Sequence, residues 1–517
     1  MVRRLRLFWP LLVLLLAAQA LMAENKALAK HLEKILEDPD VSRGMWGIEV
    51  NSLTTGETLY SLNADKLFTP ASNTKLFTTS AALALIGPDF RFHTTVETSS
   101  LLDKYGRLTG DLVLVGRGDP NLSGRTLPYH LRTERAPSAI RALEDLADQL
   151  VQKGVKYVDG DVVADDSHYV FERYGEGWTQ DDLVWEWGAP VSALTINDNV
   201  IFVSIQPADR PGDRAFVDIE PYADYYKLDN RIITTPTGTG PHKIFINREP
   251  GSNLLTLWGN IPADDPGAKE ALAIEEPADF AAQLFRSLLE RRGVVVYGRT
   301  RTRHNELASL STFRVTALAS AGGGDGTALP PSNTPLVLAT HESQPLGEDV
   351  RVINKVSQNL HAELLLRLLG HEKGTSATIQ GGLEVMRGFL TKAGIAPEEY
   401  VFYDGSGLSR QDLVTPHAIV QLLTYASQQP WGAYFADSLP LAGVDGSLAD
   451  RFKLGAAQQR VEGKTGALGH VNALSGYATT LKGDRVVFAI VANNHNLPSK
   501  RALDVIDMLV DAILAEK

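Results

Sequence analysis

At 517 residues the chain exceeds what a single ordinary core accommodates, so two or three domains are expected. A hydrophobic content of 44% with 22% charged residues excludes a disordered chain, and 62 acidic against 50 basic residues (net charge −12) argue against a basic nucleic-acid-binding surface. Cysteine is absent, which excludes disulfides, thiolate metal sites and lipidation through an N-terminal cysteine.

The sequence opens with Arg3, Arg4 and Arg6, an apolar run from Leu7 to Leu16, and the small residues Ala18, Ala20 and Ala23. That run is too short for a stable membrane span, so residues 1–23 read as a secretory signal peptide. Export to the periplasm or cell envelope is therefore expected. Residues 24–39 then show helical periodicity ending at Pro39. Residues 44–62 alternate around Thr54-Thr55-Gly56-Glu57, which predicts a hairpin.

"SNTKLFTTSAALALIG" (72–87) predicts a buried helix with Gly87 at its C-terminal cap. Its polar exceptions, Ser72 and Lys75, are spaced i, i+3 and share one face, which suits a nucleophile and its base. The same spacing suits a plain helix start, with Ser72 as N-cap and Lys75 in solvent. The small, apolar surroundings weigh against the solvated lysine.

Beyond residue 95 the texture changes to short strands and turns, as in "GRLTGDLVLVGRGDPNLSG" and "LTINDNVIFVSIQPADRPGDRAFVDI". One helix, near Phe280 to Arg292, precedes the strand "GVVVYGR". The block closes in a Gly/Pro-rich loop over residues 319–335. Helical texture returns in "DVRVINKVSQNLHAELLLRLLG", followed by three strands, "RVEGKTG", "NALSGYATTL" and "RVVFAIVANN", and a last helix "SKRALDVIDMLVDAIL". The reading is one domain in two parts, 24–95 and 334–517, sharing an antiparallel sheet and interrupted by a largely β insertion over 96–333.

Of all the lysines only Lys75 has a serine three positions earlier, and two further elements follow it in order: Ser357-Gln358-Asn359 and Lys464-Thr465-Gly466. Each is weak alone; Ser61-Leu62-Asn63 also matches the second pattern. Together they form the Ser-x-x-Lys, Ser-x-Asn and Lys-Thr-Gly set of penicillin-recognising enzymes. With "GRGDPNLSG", "DGSGLSR", "LPLAGVDGSLADRF" and "GKTGALGHVNALSGY" in the same order, the chain resembles the low-molecular-mass class C penicillin-binding proteins. These are D-alanyl-D-alanine carboxypeptidases/endopeptidases of peptidase family S13. The wide separation of Ser72 and Ser357 matches that family's habit of inserting domains between its first two motifs.

The resemblance implies an α+β fold whose transpeptidase-like domain packs an antiparallel sheet with helices. It implies a serine hydrolase acting on peptidoglycan stem peptides through an acyl-enzyme on Ser72, with β-lactams as covalent inhibitors. Serine is a poor nucleophile at neutral pH, so Lys75 can serve as base only if its amine is neutral. That needs a shift of roughly three pKa units, which burial and a second cation, Lys464, would supply. Ser357 is expected to relay a proton to the leaving amine and Asn359 to hold the substrate amide. By resemblance, the backbone N–H groups of Ser72 and Ala467 form the oxyanion hole on the Gly466 strand. Many relatives carry a hydroxyl residue where this chain has Ala467, which leaves the terminal carboxylate to Thr465, Ser357 and Lys464. Asp165 and Arg410 resemble the pair that reads a diaminopimelate-type side-chain end, with Tyr169 as a wall of that pocket or a core residue.

His341-Glu342 and His371-Glu372 lack the second histidine of a zinc motif and no Walker loop appears, so neither metal nor cofactor is expected. The resemblance allows a homodimer. Two other outcomes stay open: a β-lactamase of the same fold, differing in its rate of deacylation, and a catalytically silent wall-binding protein. Retention of all five polar motif residues argues against the second.

Overall fold

The computed structural model describes residues 26–126, 138–307 and 335–516. The expected signal peptide and nearly all of the Gly/Pro-rich loop lie outside them.

The two ends of the chain build one antiparallel sheet, of strands β1 (Met45–Ser52), β2 (Thr58–Leu62), β3 (Val461–Leu468), β4 (Val471–Thr479) and β5 (Arg485–Asn493). Their order is β3-β4-β5-β1-β2. The β1–β2 hairpin forms around the predicted turn, with Ile48 opposite Leu62 and Val50 opposite Tyr60. Strand β5 is central and apolar on both faces, and its period-2 alternation sorts its side chains. Val486, Phe488, Ile490 and Ala492 pack under helix 26–36 and the last helix, Ser499–Glu516. Val487, Ala489 and Val491 pack on the opposite side, in a core with Leu76, Phe77, Leu364 and Leu423.

At the centre of that second layer lies helix Thr74–Leu85, buried on nearly every side from Thr74 to Leu83. A helix apolar around its whole circumference can sit only inside a core. Around it pack helices Leu346–Lys355, Asn359–Lys373 and Ile379–Lys392. The helical texture over residues 349–370 resolves into two helices that part at Val356–Gln358, where Ser357 takes φ +64.

Residues His93–Thr98 and Leu336–Glu342 pair antiparallel at one end of a second five-stranded sheet, which also holds Leu112–Val115, Val162–Val170 and Thr300–Asn305. Among the described residues, three three-stranded sheets and helices Arg141–Gln152 and Pro277–Arg291 fill the region between them, around their own apolar core.

Candidate active site

Ser72 sits in the 3-10 turn Ala71–Asn73 that runs straight into helix Thr74–Leu85. It caps nothing: the N-cap position falls on Asn73, without a side-chain bond to the helix. Asn73 Nδ2 instead donates to Ser475 Oγ on β4 at 2.9 Å, and Thr74 Oγ1 donates to Asp412 Oδ2 at 3.0 Å. Ala71 is held at φ +48, a conformation costly for a residue with a Cβ and one that needs support from its surroundings. Two glycines provide it by close approach. A Cβ on Gly466 would meet Pro70 O at 2.7 Å, and one on Gly407, itself at φ +78, would meet Ala71 O at 1.9 Å. The turn is gripped from both sides.

Lys75 is fully buried, so the solvated alternative falls. Its Nζ lies 2.6 Å from Asn359 Oδ1, 2.6 Å from Ser406 O and 2.9 Å from Ser72 Oγ. Asn359 Nδ2 donates to Trp187 O at 2.8 Å, which orients the amide so that its oxygen faces the lysine. A neutral amine has two N–H bonds and one lone pair. Two carbonyl oxygens take the N–H bonds, and the lone pair is left for the hydroxyl proton of Ser72. Burial pulls the Lys75 amine down from 10.5 to about 7, against the opposing fields of Asp404, Glu363 and Asp412. Those acids are themselves buried, and burial raises Glu363 and Asp412 toward their neutral forms.

Lys464 Nζ donates to Ser357 Oγ and to Thr465 O, each at 2.8 Å. Burial first, and then the charge of Lys75, push its amine well below the ordinary range. The two-cation expectation is therefore modified. Desolvation is the largest cause at both amines, and their mutual repulsion adds to it. Thr465 Oγ1 lies 2.7 Å from Ser447 Oγ.

A cavity of about 340 Å³ joins these parts, lined by Ser72, Ser357, Asn359, Ala467, Arg410 and Asp182 among others. The expected pairing of Asp165 with Arg410 is not what forms. Arg410 Nη1 meets Asp182 Oδ2 at 2.7 Å, whereas Asp165 is buried, bound by Arg303 Nη1 at 2.7 Å and by the Ser167 N–H and hydroxyl. Register explains this: Asp165 sits directly opposite Arg303 between neighbouring strands of the insertion sheet. Tyr169 belongs to the core, 2% exposed. Asp182 and Trp187, which the sequence reading missed, both come from the insertion. Asp182 closes a capping box with Thr179, a pattern legible as a turn but silent about Arg410.

Among the described residues one group of ligand type, Asp166, Glu276 and His304, lies within 4.8 Å. Asp166 is engaged by Ser192 and His304, Glu276 faces Arg173 at 3.9 Å, and none of the three lines this cavity.

A sequence model described as the D-Ala-D-Ala carboxypeptidase 3 (S13) family matches residues 28–313 and 326–514. The D-alanyl-D-alanine carboxypeptidase of Actinomadura sp. (strain R39) is 35% identical over 497 residues, covering 94% of this chain and 84% of that one. The D-alanyl-D-alanine carboxypeptidase DacB of Haemophilus influenzae is 24% identical over 453 residues, covering 87% and 85%. The fold resembles the crystal structure of penicillin binding protein 4 (dacB) from Haemophilus influenzae, with a TM-score of 0.75 at 22% identity, covering 93% of this chain and 98% of that one. The same protein solved with a β-lactam gives a TM-score of 0.69.

Proposed function

Since this chain belongs to the D-Ala-D-Ala carboxypeptidase 3 (S13) family, we infer that it is a serine DD-peptidase, cleaving the D-Ala-D-Ala ends and cross-links of peptidoglycan stem peptides. The observation that carries this reading is the Lys75 amine, buried 2.9 Å from Ser72 Oγ with its other two contacts taken by carbonyl oxygens.

Ser72 Oγ attacks the penultimate D-alanine carbonyl as Lys75 takes its proton. The Ser72 and Ala467 N–H groups are assigned to the developing oxyanion. The proton held by Lys75 is returned to the leaving amine through Ser357, which gives up its own proton beside Lys464 and is reprotonated in turn. Water then hydrolyses the acyl-enzyme, its proton passing by way of Lys75 to Ser72 Oγ. Asn359 holds both Lys75 and the substrate amide. Thr465, Lys464 and Ser357 take the terminal carboxylate, and Gly466 lets strand β3 press on the serine turn. β-Lactams would stop at the acyl-enzyme. Labelling with a fluorescent penicillin followed by peptide mapping tests the assignment: the adduct should fall on the peptide holding Ser72, and an adduct elsewhere would refute it.

A pH profile follows from Lys75. Its amine is lowered in the fold, so the neutral form grows about tenfold per pH unit below about 7 and saturates above it. The second-order rate of penicillin acylation is expected to climb on approach to about pH 7 and level off beyond. A rate flat from about pH 5 to 8 would remove Lys75 as the base.

Arg410 and Asp182 together offer one guanidinium and one carboxylate on the cavity wall, the complement of an ammonium and a carboxylate on one side-chain end. Arg410→Ala should lower kcat/KM for a peptide with a diaminopimelate end by roughly ten- to a hundredfold relative to one without it. Asp165→Ala should leave that ratio unchanged, because its carboxylate serves Arg303 and Ser167. The measurement is D-alanine release from the two peptides, and a shifted ratio in Asp165→Ala would restore the original pairing.

The interrupted-domain reading is supported by the sheet shared between the chain ends and by the separate core of the region between them. Export is supported by the N-terminal segment. Among the described residues, no helix is long and apolar enough to cross a membrane.

A further inference from the structure

The insertion reaches the Ser357 segment through a buried line of charges that the acyl-transfer steps leave unused. Asp349, in helix Leu346–Lys355, places Oδ1 2.6 Å from His361 Nδ1. His361 Nε2 lies 3.0 Å from Asp198 Oδ1, and Asp198 Oδ2 meets Arg125 Nη2 at 2.5 Å. The side chains of Asp349, His361 and Asp198 are at most 2% exposed and that of Arg125 is 5% exposed. An imidazole with a carboxylate at each nitrogen donates from both only as the imidazolium, so charges alternate along the line and compensate one another. Burial opposes the charged imidazolium of His361, but the two carboxylates outweigh it and raise its pKa, while burial raises Asp349 in turn.

Asp198 is the member that touches the Ser357–Asn359 segment, through the side-chain amide of Gln358. It sits in the turn Asn197–Asn199, whose three residues hold φ values of +52, +56 and +53. Asparagine and aspartate tolerate that conformation better than most residues, and bonds from Asn197 and Asn199 side chains fix it here. Gln358 Nε2 donates to Asp198 Oδ2 at 3.2 Å, while Gln358 Oε1 caps Leu360 N at 2.9 Å. Gln358 is the residue between Ser357, itself at φ +64, and Asn359, whose own amide is bonded to Trp187 O. The insertion thus grips both Gln358 and Asn359.

We propose that Asp198 is a positioning residue for Ser357 and Asn359: anchored by Arg125 and His361, it fixes Gln358 and so sets where the two flanking side chains point. This rests on the acyl-transfer reading above. The insertion is then a structural half of the active site, and the share that Asp198 contributes passes through Gln358.

The test is the rate of Ser72 acylation by benzylpenicillin in three variants, each checked for native melting. Gln358→Glu keeps the cap on Leu360 but turns a donor toward Asp198 into a second carboxylate, and should acylate about tenfold more slowly or worse. Combining it with Asp198→Asn removes one of the two facing carboxylates and leaves the introduced one beside Arg125, so the double variant should acylate faster than Gln358→Glu alone. If Asp198→Asn does not fold, the pH dependence of Gln358→Glu decides. Its rate relative to wild type should recover as pH falls toward about 5, where the introduced carboxylate takes a proton beside Asp198, Arg125 and His361. A wild-type rate in Gln358→Glu, single losses that multiply in the double variant, or a pH-independent ratio would each overturn the proposal. Absence of any Ser72 adduct on the unaltered protein would instead overturn the acyl-transfer reading, and this proposal with it.

Discussion

Ser72→Ala is expected to lose all covalent labelling by penicillin and to lower kcat for D-alanine release by on the order of 10⁵-fold or more. The size follows from the site having one nucleophile. Removing Oγ leaves the oxyanion donors and substrate contacts in place but nothing to form the acyl bond, and water cannot occupy the position held against Lys75 with the same preorganisation. The fold should survive, because the Asn73–Ser475 and Thr74–Asp412 bonds hold the turn without Ser72. The checks are mass spectrometry of the penicillin-treated protein and a melting curve near wild type. Undiminished labelling of this variant would place the nucleophile elsewhere.

Lys75→Arg is expected to slow acylation by two orders of magnitude or more, the range of general-base contributions. Arginine keeps the charge but cannot present a lone pair at neutral pH. Its planar fork also cannot reproduce one nitrogen 2.6 Å from both Asn359 Oδ1 and Ser406 O. Stability carries a second signature of the native lysine. Between about pH 7 and 10.5 the unfolded chain binds the proton that the folded amine has released, so this group makes stability rise with pH across that window. Lys75→Arg should lose both this rise and the ascending limb of the acylation profile. Stopped-flow acylation and melting at several pH values measure the two. A variant acylating at near-normal rate would show that another group takes the proton.

The sequence made the fold readable at its two ends because those elements are strongly periodic. The hairpin over residues 45–62, the buried helix after Ser72 and the three C-terminal strands all appear within a few residues of expectation. Within the insertion the helix near Phe280 to Arg292 was legible and forms as Pro277–Arg291, but the short strands of several small sheets offer little period to count. The stretch from Asp349 to Gly370 is helical as read, but its break is local. Its apolar spacing is helical throughout, and only a left-handed residue at Ser357, stabilised from the insertion, splits it.

What the sequence determined by itself was the chemistry: a serine with its lysine one helical turn away, and two further motifs in a set order. Side-chain type and short spacing fix these, and helix geometry alone brings Ser72 and Lys75 onto one face. The tertiary structure decided everything that depends on environment. It buried Lys75 enough to lower its amine to about 7 and turned the Asn359 amide toward it through Trp187. It gave Arg410 the partner Asp182 in place of Asp165, and it ran the line from Asp349 to Arg125 behind Gln358. Burial, strand register and contacts between distant segments are properties of the packed chain, because desolvation and hydrogen bonding depend on neighbours that spacing along one strand or helix does not specify.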